Sequence, residues 1–328
     1  MRQEWPDLDG CDEWTEDLTL MSPLYEDWQC LSKFFAALES VNLQEVTWRL
    51  HLIDDASPTP PSAQVVPSSA QRVVRVTRLG RNLGHPRSIA VGLSEVVSGT
   101  VKSPIIVMDV DGEDRPQDVA RLLAAHQVHP DAIIVAQRRS RSEGVRFQAF
   151  YRLFRVLFRM FTGKTLDFGN FVLLPTTAAR RLVLMNELWS HFPAAIMRSG
   201  FEIVRVPTDR GSRYHGSSRM NFGSLVNHGL AAMAAFLDVV FVRLLVFAAV
   251  LFSVLLSSAV VLAAVSVWGA WDVPVWMTSA VGLTLLGILQ LGGVLLIITF
   301  FASSTRANSS PPPISFAHQY VASSETFR

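Results

Sequence analysis

The chain has 328 residues, 49% of them hydrophobic, with a formal net charge of +1 and a mean hydropathy of +0.28. It is too apolar for an average soluble domain, so membrane-embedded segments are expected, and no nucleic-acid partner is expected. Its two cysteines, Cys11 and Cys30, make no disulfide framework and suit a reducing compartment.

Residues 1–17 are mostly acidic and lack the apolar core of a signal peptide, so they read as a solvated tail. An apolar run, "LTLMS" (18–22), then precedes an amphipathic helix over about 27–40. "WRLHLID" (48–54) reads as a second strand, and the Pro/Ser-rich stretch 57–70 as a loop. "RVVRVT" (72–77) leads to a helix near 86–97, and "SPIIVMD" (103–109) to a helix near 116–127. "DAIIVAQ" (131–137) follows. This alternation predicts a mostly parallel, three-layer α/β domain. In such sheets ligands bind beyond the carboxyl ends of the strands, where Asp54 and Asp55, Asp109 and Asp111, and Arg138 and Arg141 all fall.

The stretch "IIVMDVDGED" (105–114) admits two chemistries. Asp109 and Asp111 could grip a divalent ion on a diphosphate, or Asp109 could be the aspartyl nucleophile of a phosphatase with an Asp-x-Asp-Gly motif. Asp114, just ahead of Pro116, also has a plain reading as a helix cap.

Beyond residue 138 the chain turns basic and then strongly apolar. In "FQAFYRLFRVLFRMF" (147–161) five phenylalanines share one arc, with Arg152, Arg155 and Arg159 opposite. That pattern predicts an interfacial helix lying on anionic lipid. Residues 216–237 read as a juxtamembrane amphipathic helix. From Leu244 to Thr305 there is no Lys, Arg, Glu or His, and Asp272 is the single acid. Residues 238–303 are therefore expected to form a transmembrane hairpin, with spans near 244–267 and 275–302 joined by "WGAWDVPVW". Arg219 and Arg243 precede the hairpin and Arg306 follows it. The positive-inside rule then predicts a multi-pass membrane protein with both ends of the hairpin, and hence the N-terminal domain, cytoplasmic. Residues 304–328 read as a cytoplasmic tail. Association of subunits through the hairpins is left open by the sequence.

Taken together, seven segments occur in the order found in inverting glycosyltransferases of family 2. The set resembles more narrowly the membrane-bound polyprenyl-phosphate group that includes dolichol-phosphate mannose synthase. They are "LTLMSPLYEDW", "HLIDDASP", "RLGRNLGHPRSIAVGL", "VMDVDGEDRPQD", "DFGNFVLLP", "MNELW" and "RGSRYHGSSRMNF". The resemblance implies a GT-A fold over residues 18–215. It implies a nucleotide-diphosphate sugar as donor, a polyprenyl phosphate as acceptor, and Mg²⁺ or Mn²⁺ as cofactor. By the same resemblance Asp55 would accept hydrogen bonds from the base, with Pro23 and Tyr25 walling it. Asp109 and Asp111 would hold the ion, Arg138 and Arg141 the lipid phosphate, and Arg213 and Arg219 the diphosphate.

The phosphatase reading weakens, because its motif normally opens the domain and Glu113 stands where a hydroxyl residue would be needed. A hydroxyl acceptor would require a general base, for which Asp114 or Glu113 are candidates. A lipid phosphate, with a second pKa near 6, is already an anionic nucleophile. The sequence departs from the family at Tyr25-Glu26-Asp27, at Glu113-Asp114, at Ser218-Arg219 and in "DFGNF" (167–171). A processive polysaccharide synthase is disfavoured, because no Gln-x-x-Arg-Trp motif and few spans are present. A non-catalytic membrane-anchored nucleotide-sugar binder remains the alternative from another class.

Overall fold

The computed structural model describes residues 17–41, 46–59, 73–99, 101–138, 145–216, 222–269, 274–307 and 311–327. They fall into two compact units. The first comprises residues 1–152, 166–235 and 311–328, and the second residues 153–165 and 236–310.

The first unit carries β1 (Leu18–Leu24), α1 (Leu31–Glu39), β2 (Trp48–Asp54), β3 (Val74–Leu79), α2 (His85–Ser98), β4 (Ile105–Val107), α3 (Val119–Val128) and β5 (Ile133–Arg138). Helix α4 (Val145–Thr162) begins in it. Then come β6 (Val172–Leu174), α5 (Thr176–Leu182), α6 (Phe192–Arg198), β7 (Ile203–Thr208) and α7 (Phe222–Ala234). The strands form one mixed sheet of eight in the order β7-β5-β6-β4-β1-β2-β3-β8, where β8 is Val321–Phe327. β1, β2, β3 and β4 run parallel, whereas β6 is antiparallel to both β4 and β5.

β1 is central and buried at all seven positions, as its nearly unbroken apolar run requires of a strand covered on both faces. One face packs on Phe34, Leu38, Leu122 and their neighbours. The chain winds outward from β1 through β2 to β3, then returns to place β4 on the other side of β1. The strand order thus reverses between β1 and β4, which opens a crevice at their carboxyl ends. The α/β class and three-layer GT-A-type architecture expected from the sequence are what the fold shows.

Several elements of the first unit carry no clear signal in the sequence. β6 is only three residues long. β7 contains Pro207, which the sheet tolerates because β7 lies at an edge. α5 and α6 are only seven residues each. The segment read as a tail instead forms α10 (Pro313–Phe316) and β8, which pairs antiparallel with the outer edge of β3.

The second unit holds the end of α4 and two long helices, α8 (Leu237–Val267) and α9 (Val275–Ala307). Residues 237–267 and 275–298 have mean hydropathies of 2.8 and 2.4 and are long enough to cross a bilayer. Only 17% and 6% of their most apolar stretches are buried, which is unlike core helices of a soluble protein. At the end of α4, Phe158 is buried edge-to-face against Phe236, with ring centroids 5.8 Å apart. Arg243 Nη1 donates to the Met160 carbonyl at 2.8 Å. The aromatic stripe is thus partly spent on packing at Phe158. Leu153, Val156 and Met160, each more than half exposed, form the apolar stripe open to the surroundings beside Arg152, Arg155 and Arg159. Nothing is described of the Phe147 and Phe150 side chains.

Candidate active site

The carboxyl ends of β1, β2, β4 and β5 deliver the candidate residues to one crevice. After β1, Tyr25 is half-buried and Glu26 takes a left-handed backbone with φ 54°. After β2, Ala56 does the same with φ 57°. The two turns are stitched together. Glu26 N–H donates to Ser57 Oγ at 2.8 Å, Asp55 N–H to the Leu24 carbonyl at 2.8 Å, and Ser57 N–H to Asp54 Oδ1 at 2.9 Å.

A left-handed residue with a Cβ stores about 1–2 kcal/mol of strain relative to glycine. Ala56→Gly is therefore expected to raise stability by about 1 kcal/mol, read as an upward shift in thermal unfolding, without loss of the turn.

Asp55 is 4% exposed, and each of its oxygens accepts a backbone N–H from the loop ahead of α2: Leu83 at 2.7 Å and Gly84 at 2.9 Å. Gly84 itself has φ 84°, a conformation that glycine adopts without strain. Pro23 is buried in β1.

The loop after β4 is the most charged part of the site. Asp109 N–H donates to Asp114 Oδ2 at 3.1 Å, and Arg138 Nη2 donates to Asp114 Oδ1 at 3.0 Å. Glu113 Oε2 accepts from Arg210 Nη2 at 2.8 Å and lies 3.8 Å from Arg138 Nη1. Asp111 Oδ1 accepts the Glu113 N–H at 2.8 Å, and its Oδ2 lies 3.4 Å from Arg213 Nη1. Arg213 reaches Asp27 with its other amino group at 3.2 Å.

The segment 211–214 lies against this loop, with Gly211 N–H donating to the Glu113 carbonyl and Tyr214 N–H to the Asp111 carbonyl. Gly112, at φ 93°, meets the Tyr214 ring so closely that a Cβ would stand 2.8 Å from it.

Crowding and burial shift the protonation of this cluster. Asp111 is pushed up to about 6, first by burial and then by Glu113 and Asp114, against the pull of the Glu113 N–H and Arg213. Asp109 is raised well above the ordinary carboxylate range, by burial first, then by Asp114 and Asp111. Burial also raises Asp54. On the wall beside Asp109, His85 Nε2 is 2.7 Å from Asn170 Nδ2 and 3.6 Å from Asp109 Oδ1. The surrounding protein, and then His228, lower His85 to about 4, although 41% of its side chain remains accessible. At neutral pH it is uncharged and gives Asp109 no ion pair.

Asp109 Oδ1 is buried with no hydrogen-bond donor, an arrangement that costs free energy unless a cation completes it. No group of three or more His, Cys, Asp or Glu side chains is poised for a metal among the described residues. Two carboxylates suffice where the remaining ligands come from phosphate and water, as hard cations such as Mg²⁺ prefer. The donor set at Asp109 and Asp111 fits such an ion.

Of the residues singled out in the sequence, Tyr25, Asp55, Asp109, Asp111, Asp114, Arg138 and Arg213 end at or beside the crevice. Arg141 and Arg219 lie outside the described residues. Sequence reasoning gave no role to Arg210, Asp27, His85 or Asn170. Arg210 opens the basic "RGSR" cluster, and Asn170 lies in "DFGNF", so both had a signal; nothing in the sequence connects His85 to Asp109.

The model of glycosyl transferase family 2 matches residues 21–189, just over half of the chain. The chain belongs to this family. Among solved structures, this family 2 chain is similar to glucosyl-3-phosphoglycerate synthase from Mycobacterium tuberculosis, solved with Mn²⁺, UDP and phosphoglyceric acid. The TM-score is 0.50 at 11% identity, over 69% of this chain and 78% of that one. It is also similar to S. aureus TarS 1–349 in complex with UDP-GlcNAc. There the TM-score is 0.43 at 13% identity, over 70% of this chain and 66% of that one. For TarS 1–349 without that ligand, the chain spans 65% of its length. At such identities the likeness speaks to the fold. No curated protein sequence matches the chain.

Proposed function

We propose that the protein transfers a sugar, with inversion, from a nucleotide-diphosphate donor to a polyprenyl phosphate at the cytoplasmic face of a membrane. The observation that carries this reading is the crevice itself. In a family 2 fold, Asp109 and Asp111 stand with Arg138, Arg210 and Arg213 at the ends of the central strands. The same chain carries two helices fit to cross a bilayer.

Each group has work in such a transfer. Asp109 and Asp111 would hold Mg²⁺ or Mn²⁺, which offsets the charge gathering on the departing nucleotide diphosphate. The M. tuberculosis synthase of similar fold was solved with Mn²⁺ and UDP, the kind of ligand pair that two carboxylates would suit. Asp55 and Tyr25 would bound the base. Arg213, held by Asp27 and Asp111, stands close to the candidate ion site and can move its charge onto phosphate oxygens.

The way the site's carboxylates are engaged supports a phosphate acceptor. Both oxygens of Asp114 are occupied, by Arg138 and by the Asp109 amide, and Glu113 is held by Arg210. Carboxylates bound in this way are poor general bases for a hydroxyl acceptor. An anionic phosphate needs no base; it needs cations to bring two anions together in line. Arg138 fits that task, with Asp114 as its positioning partner. The exposed Leu153, Val156 and Met160 stripe with its flanking arginines suits a lipid surface.

The test uses purified full-length protein in liposomes with Mn²⁺ or Mg²⁺, a panel of labelled nucleotide sugars and a short-chain polyprenyl phosphate. Label should enter the organic phase only when both metal and lipid phosphate are present. Donor hydrolysis without lipid labelling would point to a different acceptor. Tight donor binding with neither would favour a membrane-anchored binder.

A further inference from the structure

The segment that follows the membrane helices reaches back to the donor side of the crevice. β8 pairs with β3 from Val74↔Phe327 to Leu79↔Val321, with a register shift between Arg78 and Leu79. Just before β8, the Tyr320 carbonyl accepts the Gly80 N–H at 2.8 Å. The Tyr320 ring lies under the Arg81 guanidinium, 5.7 Å from its carbon, and edge-on to Trp189 at 5.9 Å. Residues 313–320 also pack along α2, and Ile314 N–H donates to the Val183 carbonyl at 3.2 Å. The segment is therefore fastened at three places on either side of the loop 80–84.

That loop is the one whose Leu83 and Gly84 amides clamp the Asp55 carboxylate. At its upstream end, Arg78 Nη2 donates to the Ser57 carbonyl at 2.7 Å and its Nε lies 3.6 Å from Asp54. A short loop between a strand end and a helix start has few contacts of its own to set its shape. Here the outer side of the loop rests on Tyr320, and its inner side holds the turn that carries Asp55.

We infer that residues 313–327 are a positioning element of the donor site. Tyr320 and the bulged start of β8 fix the 80–84 loop, and the loop fixes Asp55. This rests on the proposed reading of Asp55 as a donor-base residue. Tyr320 touches no reacting group; its effect passes through the loop amides. It follows that the part of the chain beyond the membrane helices acts on nucleotide-sugar affinity and leaves acceptor use alone.

The experiment compares Tyr320→Ala and Tyr320→Phe with the wild type in the full-length protein reconstituted in liposomes. Hydrogen exchange at the Leu83 and Gly84 amides is measured beside the KM for the nucleotide sugar, the KM for short-chain polyprenyl phosphate, and kcat. Tyr320→Ala should speed exchange at both amides and raise the donor KM by about three- to tenfold, with kcat and the lipid KM within twofold of wild type. Tyr320→Phe, which keeps the ring and the backbone carbonyl, should match wild type in all four readings. Unchanged amide exchange in Tyr320→Ala would overturn the inference, as would a donor KM that does not move or a parallel loss in every kinetic constant. Failure of the underlying reading looks different: the wild type itself would neither bind nor turn over any nucleotide sugar.

Discussion

Replacing Asp111 by asparagine is expected to cut sugar transfer by about 10³-fold, equivalent to losing about 4 kcal/mol of transition-state stabilisation. The folded protein should be no less stable for it. Asp111 is pushed up to about 6, mainly by burial, so at neutral pH the folded state carries a carboxylate that it would hold more easily as the acid. For a shift of that size the cost is at most roughly 3 kcal/mol. Asparagine removes the charge and keeps an oxygen for the Glu113 N–H, while giving up the approach of Arg213. Activity and melting temperature should therefore part company, with transfer lost and unfolding in EDTA unchanged or shifted upward. Transfer within tenfold of wild type would mean that Asp111 does not hold the ion.

A second large effect should appear in how pH governs metal binding. Because Asp111 is raised to about 6 in the folded state, that state binds protons more readily than the unfolded chain between about pH 4 and 6, and the raised Asp109 acts in the same direction. Stability contributed by these groups is thus present at the acid end and declines as pH rises through that window. A divalent ion reverses the trend, since it binds the ionised form and competes with the proton. The rise in melting temperature on adding Mn²⁺ should be pronounced at pH 7 and weak at pH 5, where apparent affinity falls roughly tenfold from the titration of Asp111 alone. Asp111→Asn, which removes the titrating group, should flatten the dependence. A metal-induced shift equal at both pH values would place the ion away from these carboxylates.

How much of this was open to reading in the sequence varied with the kind of signal. β1, β2, β4 and β5 announced themselves as apolar runs, each ending in a residue with chemistry, and the crevice follows from that repetition. The acidic pair at 109 and 111 was legible as a feature because Asp-Val-Asp at the end of a buried strand has few bland explanations. The clamp around it was not, since Arg210 and Asp27 lie far apart in the chain and meet Glu113 and Arg213 only through the sheet. β8 was invisible for a different reason. "VASSETF" is mostly exposed and has weak strand propensity; it is a strand because β3 offers it an edge. The periodicity of α4 suggests a phenylalanine stripe, but Phe158 of that arc packs on Phe236, a partner that periodicity cannot name.

The pairing of β8 with β3 brings together residues such as Thr77 and Ser324, 247 positions apart along the chain. During synthesis that edge of the sheet stays open while the ribosome makes both long apolar helices, because its partner strand has not yet been translated. The first unit can thus complete its sheet only after both long apolar helices have been made, and a pairing this distant in sequence is intrinsically slow to form. Until then β3 is an unprotected edge, and the arginines it carries at 75 and 78 are the kind of charge that keeps such an edge from recruiting another nascent chain.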